Sequence, residues 1–305
     1  MTSLLQSWER ITAQEHADFA GSERYLLIDA SQLPINAAPW SRLVADGEVA
    51  NLLAGQPEAS HPEVCALLCE YAAQPVDSLL KHQLARRPFA FIALASVYAL
   101  TDLAAMLSLR TRVTLPDDRD GLLRFYDAAV FQTLAGALSA HRWQALLSPC
   151  VSWTYVRRDG SIGVERHPRR RERIFYPRVE AGEFAALQGG NRVDAVLSEL
   201  RRHGRLAGNA DPFEVYRQMQ ALLAMLDAQT PGDRAVVERL AYRLAAILSL
   251  YPGLTVDDAS IADAIGQAIA LHRDDHDALC EAVHDAVADC HERIATQGAD
   301  TEIQE

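Results

Sequence analysis

Lysine is almost missing from this chain: Lys81 stands alone among 305 residues, so the positive charge is nearly all arginine. Codon bias in a GC-rich genome accounts for that without any chemistry. Cysteine is also scarce. Cys65, Cys69, Cys150, Cys280 and Cys290 are odd in number and include no CxxC pair, which suits a reducing cytoplasm and excludes a disulfide framework. There is no GxSxG elbow, no Walker A loop, no GxGxxG after a strand and no HExxH, so every motif-based argument for an enzyme is removed. Positive charge is in deficit as well. A formal net charge of -12 argues against a general partner of nucleic acid or anionic membrane, both of which attract cations.

The N-terminal stretch MTSLLQSWERITAQEHADF carries charges throughout and lacks a sustained apolar core, so it does not read as a secretion signal. One run imitates a membrane span, FAFIALASVYALTDLAAMLSL from Phe89 to Leu109, with arginines on both flanks. Asp102 in its second half makes that reading costly. The run divides better into a buried strand, Phe89 to Ser96, and a helix capped by Thr101 or Asp102.

What is present is a globular composition, 49% hydrophobic and 23% charged, sufficient for two cores. RYLLIDA at Arg24 reads as a buried strand. Helical spacing is expected in WSRLVADGEVANLLAG and in PEVCALLCEYAAQPVDSLLKHQLARR, where Val64, Leu67, Leu68 and Tyr71 would share a face. A strand at TRVTLP, an acidic turn and a strand GLLRFYD follow. Next comes a helix, FQTLAGALSAHRWQALL, and then VSWTYVRRDGSIGVER reads as a hairpin about Asp159-Gly160. Strands alternating with helices predict an α/β lobe, a mixed sheet flanked by helices, over residues 1–165.

Beyond a basic connector, 166–180, strand signals fade and an all-α lobe is expected over 181–297, with a disordered tail at 298–305. Val237, Leu240, Leu244, Ile247 and Leu248 make one apolar stripe. Asp211 before Pro212 offers a helix cap. From Tyr251 onward thirteen acidic residues face only Arg273 and Arg293, so this segment supplies most of the net charge.

Candidate sites are few. In RFYD, strand alternation would send Arg124 and Tyr126 to one face and Phe125 and Asp127 to the other. Phe125 would then be core, Arg124 solvated or paired, and Asp127 a cap for the helix starting near Ala128. His272, His276, Cys280 and His284 follow at four-residue steps, a spacing from which neighbouring pairs could ligate zinc. The steps drift around a helix, and packing against Leu279, Val283, Val287 and Cys290 explains them, so no metal or other cofactor is expected. The basic run with Arg169, Arg170 and Arg171, tipped by Phe175 and Tyr176, is suited to phosphates and stacked bases. Its shortness and the acidic chain favour a linker, or an arginine clamp for an acidic protein segment.

The order of these pieces carries a resemblance. The LLID strand, PFAFIALAS strand, LAAMLSLR helix, LPDD turn, LLRFYD strand and the Trp153-bearing strand VSWTY together resemble the domain of unknown function numbered 4123, over roughly Arg24 to Arg157. LPDDRDGLLRFYDAAVF is the most specific element. The family usually has Gly after the LPD turn and Pro-Arg after RFYD. Here Asp118 and Ala128-Ala129 stand instead, so no role of that arginine is carried over. The resemblance implies a non-enzymatic adaptor or chaperone of type VI secretion in the bacterial cytoplasm. Its partners would be a secreted toxin effector and a valine-glycine repeat (VgrG-type) spike, with or without a PAAR tip. No nucleic acid or membrane partner is expected. The alternative is an enzyme or small-ligand-binding protein on the α/β lobe.

Overall fold

The computed structural model describes residues 3–33, 40–71, 76–167, 175–206, 210–229, 234–251, 254, 258–272 and 275–302. The chain divides into two units, Met1–Asn191 and Arg192–Glu305.

The first unit opens with helix α1 (Leu4–Asp18), whose cap is a reciprocal pair: the Ser3 hydroxyl accepts from the Gln6 amide, and the Gln6 side chain accepts from the Ser3 amide. Strand β1 (Glu23–Asp29), helix α2 (Trp40–Ala45) and strand β2 (Val49–Asn51) follow, then strand β3 (Ala66–Glu70), helix α3 (Val76–Gln83), strand β4 (Phe91–Ser96) and helix α4 (Leu100–Ser108). A small hairpin, β5 (Arg112–Thr114) and β6 (Asp120–Leu122), leads to helices α5 (Ala128–Ala137) and α6 (Ala140–Leu147), strands β7 (Ser152–Val156) and β8 (Ile162–Arg166), and helix α7 (Ala181–Gly190).

Six strands form one sheet in the order β2-β3-β1-β4-β7-β8. The α/β expectation holds, but every pairing is antiparallel, so the sheet is not mixed. Register sets the faces. Arg24 lies opposite Ala95, Ala95 opposite Ser152, and Ser152 opposite Arg166, and alternation puts these four on one side. Helix α1 covers that side: the Trp8 indole donates to the Tyr71 hydroxyl at 2.9 Å, and Arg166 grips the buried Glu15. Trp153 and Tyr155 point to the other side. There they meet Phe131 from α5 at ring separations of 5.1 and 5.0 Å, and Phe131 in turn meets Trp143 of α6.

Several expectations fail, each for a physical reason. PEVCALLCEY is not one α-helix: after a single 3-10 turn at Pro62–Val64, Ala66–Glu70 is the strand β3, between β2 and β1, and Ala66 to Cys69 are buried. Coverage on both faces erases the period-2 signal, leaving a run that mimics a helix stripe. Helix α2 stops at Ala45 because Gly47, at φ 76°, turns the chain into β2. The long helix expected at FQTLAGALSAHRWQALL breaks at Leu138, whose backbone is extended, and α6 starts after Ser139. Neither Thr101 nor Asp102 caps α4; both lie in its first turn, after Ala99. The strand at GLLRFYD ends at Leu122, and RFYD is a turn into α5. The run Phe89–Leu109 does divide into β4 and α4, and among the described residues no helix is long and apolar enough to cross a membrane.

The second unit consists of helices α8 (Arg192–Arg202), α9 (Pro212–Gln229), α10 (Arg234–Leu248), α11 (Ala259–Leu271) and α12 (His276–Glu302). Val237, Leu240 and Leu244 of the expected stripe are buried, while Ile247 and Leu248 pack partly buried against the same core. Asp211 caps α9 through the Phe213 amide at 3.0 Å. Arg192 ties three helices together, donating to Asp227 on α9 at 2.7 and 3.0 Å and to Glu238 on α10 at 3.3 Å. Residues 303–305 lie outside the described residues.

Candidate functional site

The end of β1 and the turn before α5 meet at a charged junction. Asp29 closes an apolar strand with its carboxylate fully buried, and a buried charge needs partners. It has four: the Ser31 amide at 3.1 Å, the Ser31 hydroxyl at 2.5 Å, the Gln32 amide nitrogen at 3.1 Å and Arg124 Nη2 at 2.7 Å. Arg124 reaches Asp29 because RFYD turns instead of extending. The turn also brings Asp127 within 3.5 Å of the same nitrogen, while Asp127 accepts the Ala129 and Val130 amides as the cap of α5.

The guanidinium is thus anchored by one edge and 43% exposed on the other. Desolvation opposes its charge, but the carboxylates of Asp29 and Asp127 outweigh that and hold its proton above the ordinary arginine value. Such a fixed cation can recognise a hydrogen-bond acceptor without first losing rotamer freedom.

Tyr126 is not beside it at the surface. It is buried, with Arg124 5.9 Å above its ring, and burial together with the Asp29 charge pushes its phenol above the usual range. The expected alternation therefore fails, because Phe125 and Tyr126 are both interior. Phe125 is core, packed edge-on against Trp153 at 6.1 Å, and the Trp153 indole donates to the Leu147 carbonyl at 3.1 Å.

Arg169, Arg170 and Arg171 lie outside the described residues. Phe175 is half-buried under the Arg110 guanidinium at 5.8 Å, whereas Tyr176 is 59% exposed. The two aromatics thus play different parts.

The histidine stripe is broken as well. His272 ends α11, while His276, Cys280 and His284 belong to α12; the side chain of His276 lies outside the described residues. Cys280 is in the core with its thiol pushed up by burial, and His284 Nε2 meets the Tyr251 hydroxyl at 3.0 Å. Among the described residues no three His, Cys, Asp or Glu side chains are placed to share a metal ion. Cys65 and Cys69 are buried.

Sequence reasoning missed Asp29 and Glu15. Asp29 had a signal, an acid ending an otherwise apolar strand. Glu15 had none, since its partner Arg166 lies 151 residues away.

Residues 24–145 match the family model described as Domain of unknown function (DUF4123). No curated protein and no solved structure shows significant similarity to the chain. The matched segment runs from β1 into α6, so it contains Asp29, the LPDD turn, the RFYD turn and the helix it caps; over these residues the chain is similar to the DUF4123 family.

Proposed function

We propose that this protein is a cytoplasmic bacterial adaptor that binds a type VI secretion effector and helps load it onto a valine-glycine repeat spike, with or without a PAAR tip. The observation that carries the reading is the family match over 24–145, which spans the LPDDRDGLLRFYDAAVF element. Two further features support it. Arg124 is held with one edge free, and a second unit with its own helical core follows the matched segment, leaving room for a partner-specific task.

The mechanism is equilibrium binding. An unstable effector segment covers its apolar surface on the adaptor, is stabilised by mass action, and transfers when spike contacts compete. No catalytic step belongs to it. The test is the melting temperature of the effector encoded beside this chain, measured against increasing adaptor. Linkage predicts a rise that continues past stoichiometry, worth about 2.7 kcal/mol at a hundred times Kd. An effector melting curve indifferent to the adaptor, or steady hydrolysis of an ester, nucleotide or peptidoglycan that a single polar substitution abolishes, would reject the proposal.

A further inference from the structure

An open sheet has two edges, and each carries main-chain groups that a foreign strand can complete. At one edge β2 is only three residues long, and α2 and α4 pack against it. At the other, β8 runs for five residues without proline or bulge, and its close neighbour is β7. The ends of their ladder fix which groups point where: the His167 amide donates to the Val151 carbonyl at 3.1 Å, and the Arg157 amide to the Ser161 carbonyl at 2.8 Å. Gly163 and Glu165 therefore turn their main-chain groups toward β7, and Ile162, Val164 and Arg166 turn theirs outward. Among the described residues those outward N–H and C=O groups have no hydrogen-bond partner.

The side chains along this edge narrow what can complete it. Ile162 and Val164 are half-buried on the α1 side of the sheet, and Arg166 follows on the same face. A charge at an edge normally blunts it, but here Glu15 draws the guanidinium in, accepting from Nε and Nη2 at 3.0 and 2.5 Å, and the Asp18 carboxylate lies close by. One cation among two acids would repel a further carboxylate, so the group opposite Arg166 is a neutral acceptor. Self-pairing fits poorly: antiparallel strands centred on Val164 would set Arg166 against Ile162 of the other copy, twice. We propose that the β8 edge binds an extended segment of another protein, which adds antiparallel as a seventh strand of the sheet. Two alternate apolar residues of that segment lie beside Val164 and Ile162, and a neutral polar one beside Arg166. The proposal states how a polypeptide is held, and it stands whether or not the adaptor reading does.

The experiment titrates the purified full-length chain, followed by amide NMR, with acetyl-Thr-Gln-Thr-Val-Thr-Val-Thr-amide. Two control peptides are the same sequence N-methylated at both valines and a version with aspartate in place of both. The expected result is saturable shifts centred on β8 with the first peptide, and hydrogen exchange at the Ile162 and Val164 amides slowed about tenfold or more when the edge is filled. The N-methylated peptide keeps its side chains but cannot donate to the edge, so it should not bind. The aspartate version should bind about tenfold or more weakly, having lost its apolar contacts. Val164→Pro removes one outward N–H and no bond to β7, and should abolish binding in a chain that still melts cooperatively; should that variant fail to fold, the N-methylated peptide decides. No saturable shift, shifts centred away from β8, or equal affinity of the N-methylated peptide would overturn the proposal. So would Ile162 and Val164 amides already protected in the peptide-free chain at the mass of two copies, which would give the edge to a second copy.

Discussion

Asp29 decides how Arg124 must be read. On a strand the arginine would be a replaceable surface group; on the turn it is the charged partner of a carboxylate with no access to water. Arg124→Ala should therefore destabilise the protein by about 3 kcal/mol, the lower end for a broken buried pair because the guanidinium is half in water. Urea unfolding measures it, and replacing Asp29 by Asn in the same chain should recover much of the loss. Asp118 is a second residue whose backbone explains its neighbourhood. It sits at φ 63°, where a side chain is strained; its carboxylate pairs with Arg178 at 2.7 Å. Asp118→Ala should cost about 1 kcal/mol and Asp118→Gly less than half as much.

The buried thiols give a pH dependence. Burial pushes Cys69 up to about 12 and raises Cys150 and Tyr126 further still. Groups raised by folding contribute stability that is complete below their unfolded values and lost as pH climbs toward the folded ones. Stability should thus be unaffected by these groups at neutral pH and fall from about pH 9 upward. In native protein the two thiols should resist a thiol reagent at pH 8 that reaches them in denaturant.

At the scale of elements, legibility followed local signals. The hairpin of β7 and β8 and the capped helices α5 and α9 were legible because turn and cap residues act within a few residues: Asp159-Gly160, Asp127 and Asp211. Strands β1 and β4, buried almost throughout, were legible as short apolar runs. Strand β3, just as buried, was not, because Leu67, Leu68 and Tyr71 also fit a helical stripe. The candidate site was half legible. RFYD stood out, but its partner Asp29 lies 95 residues away, a distance that no local pattern spans. The crossing of α5 and α7 makes another test. A Cβ on Gly190 would come within 2.4 Å of the Thr133 methyl, so only glycine lets the helices touch there. Gly190→Val should lower stability by about 1 to 3 kcal/mol through overpacking, and Thr133→Ser in the same chain should return part of it.

For the whole molecule, the distribution of charge bears most on partners. The acidic residues after Tyr251 belong to a helical unit with its own core, so that unit presents a strongly negative surface in addition to its packing. An interface led by this segment should weaken as the Debye length shrinks from about 10 Å at 0.1 M salt to about 3 Å at 1 M, and an apolar interface should not. The central claim is that the chain acts by holding another protein. Its most direct test is the solution mass, by light scattering after size exclusion, of the full-length chain co-expressed with the effector proposed as its partner. The account predicts a single peak whose mass is the sum of both proteins in whole-number ratio. Two peaks, each with the mass of one free protein, would contradict it.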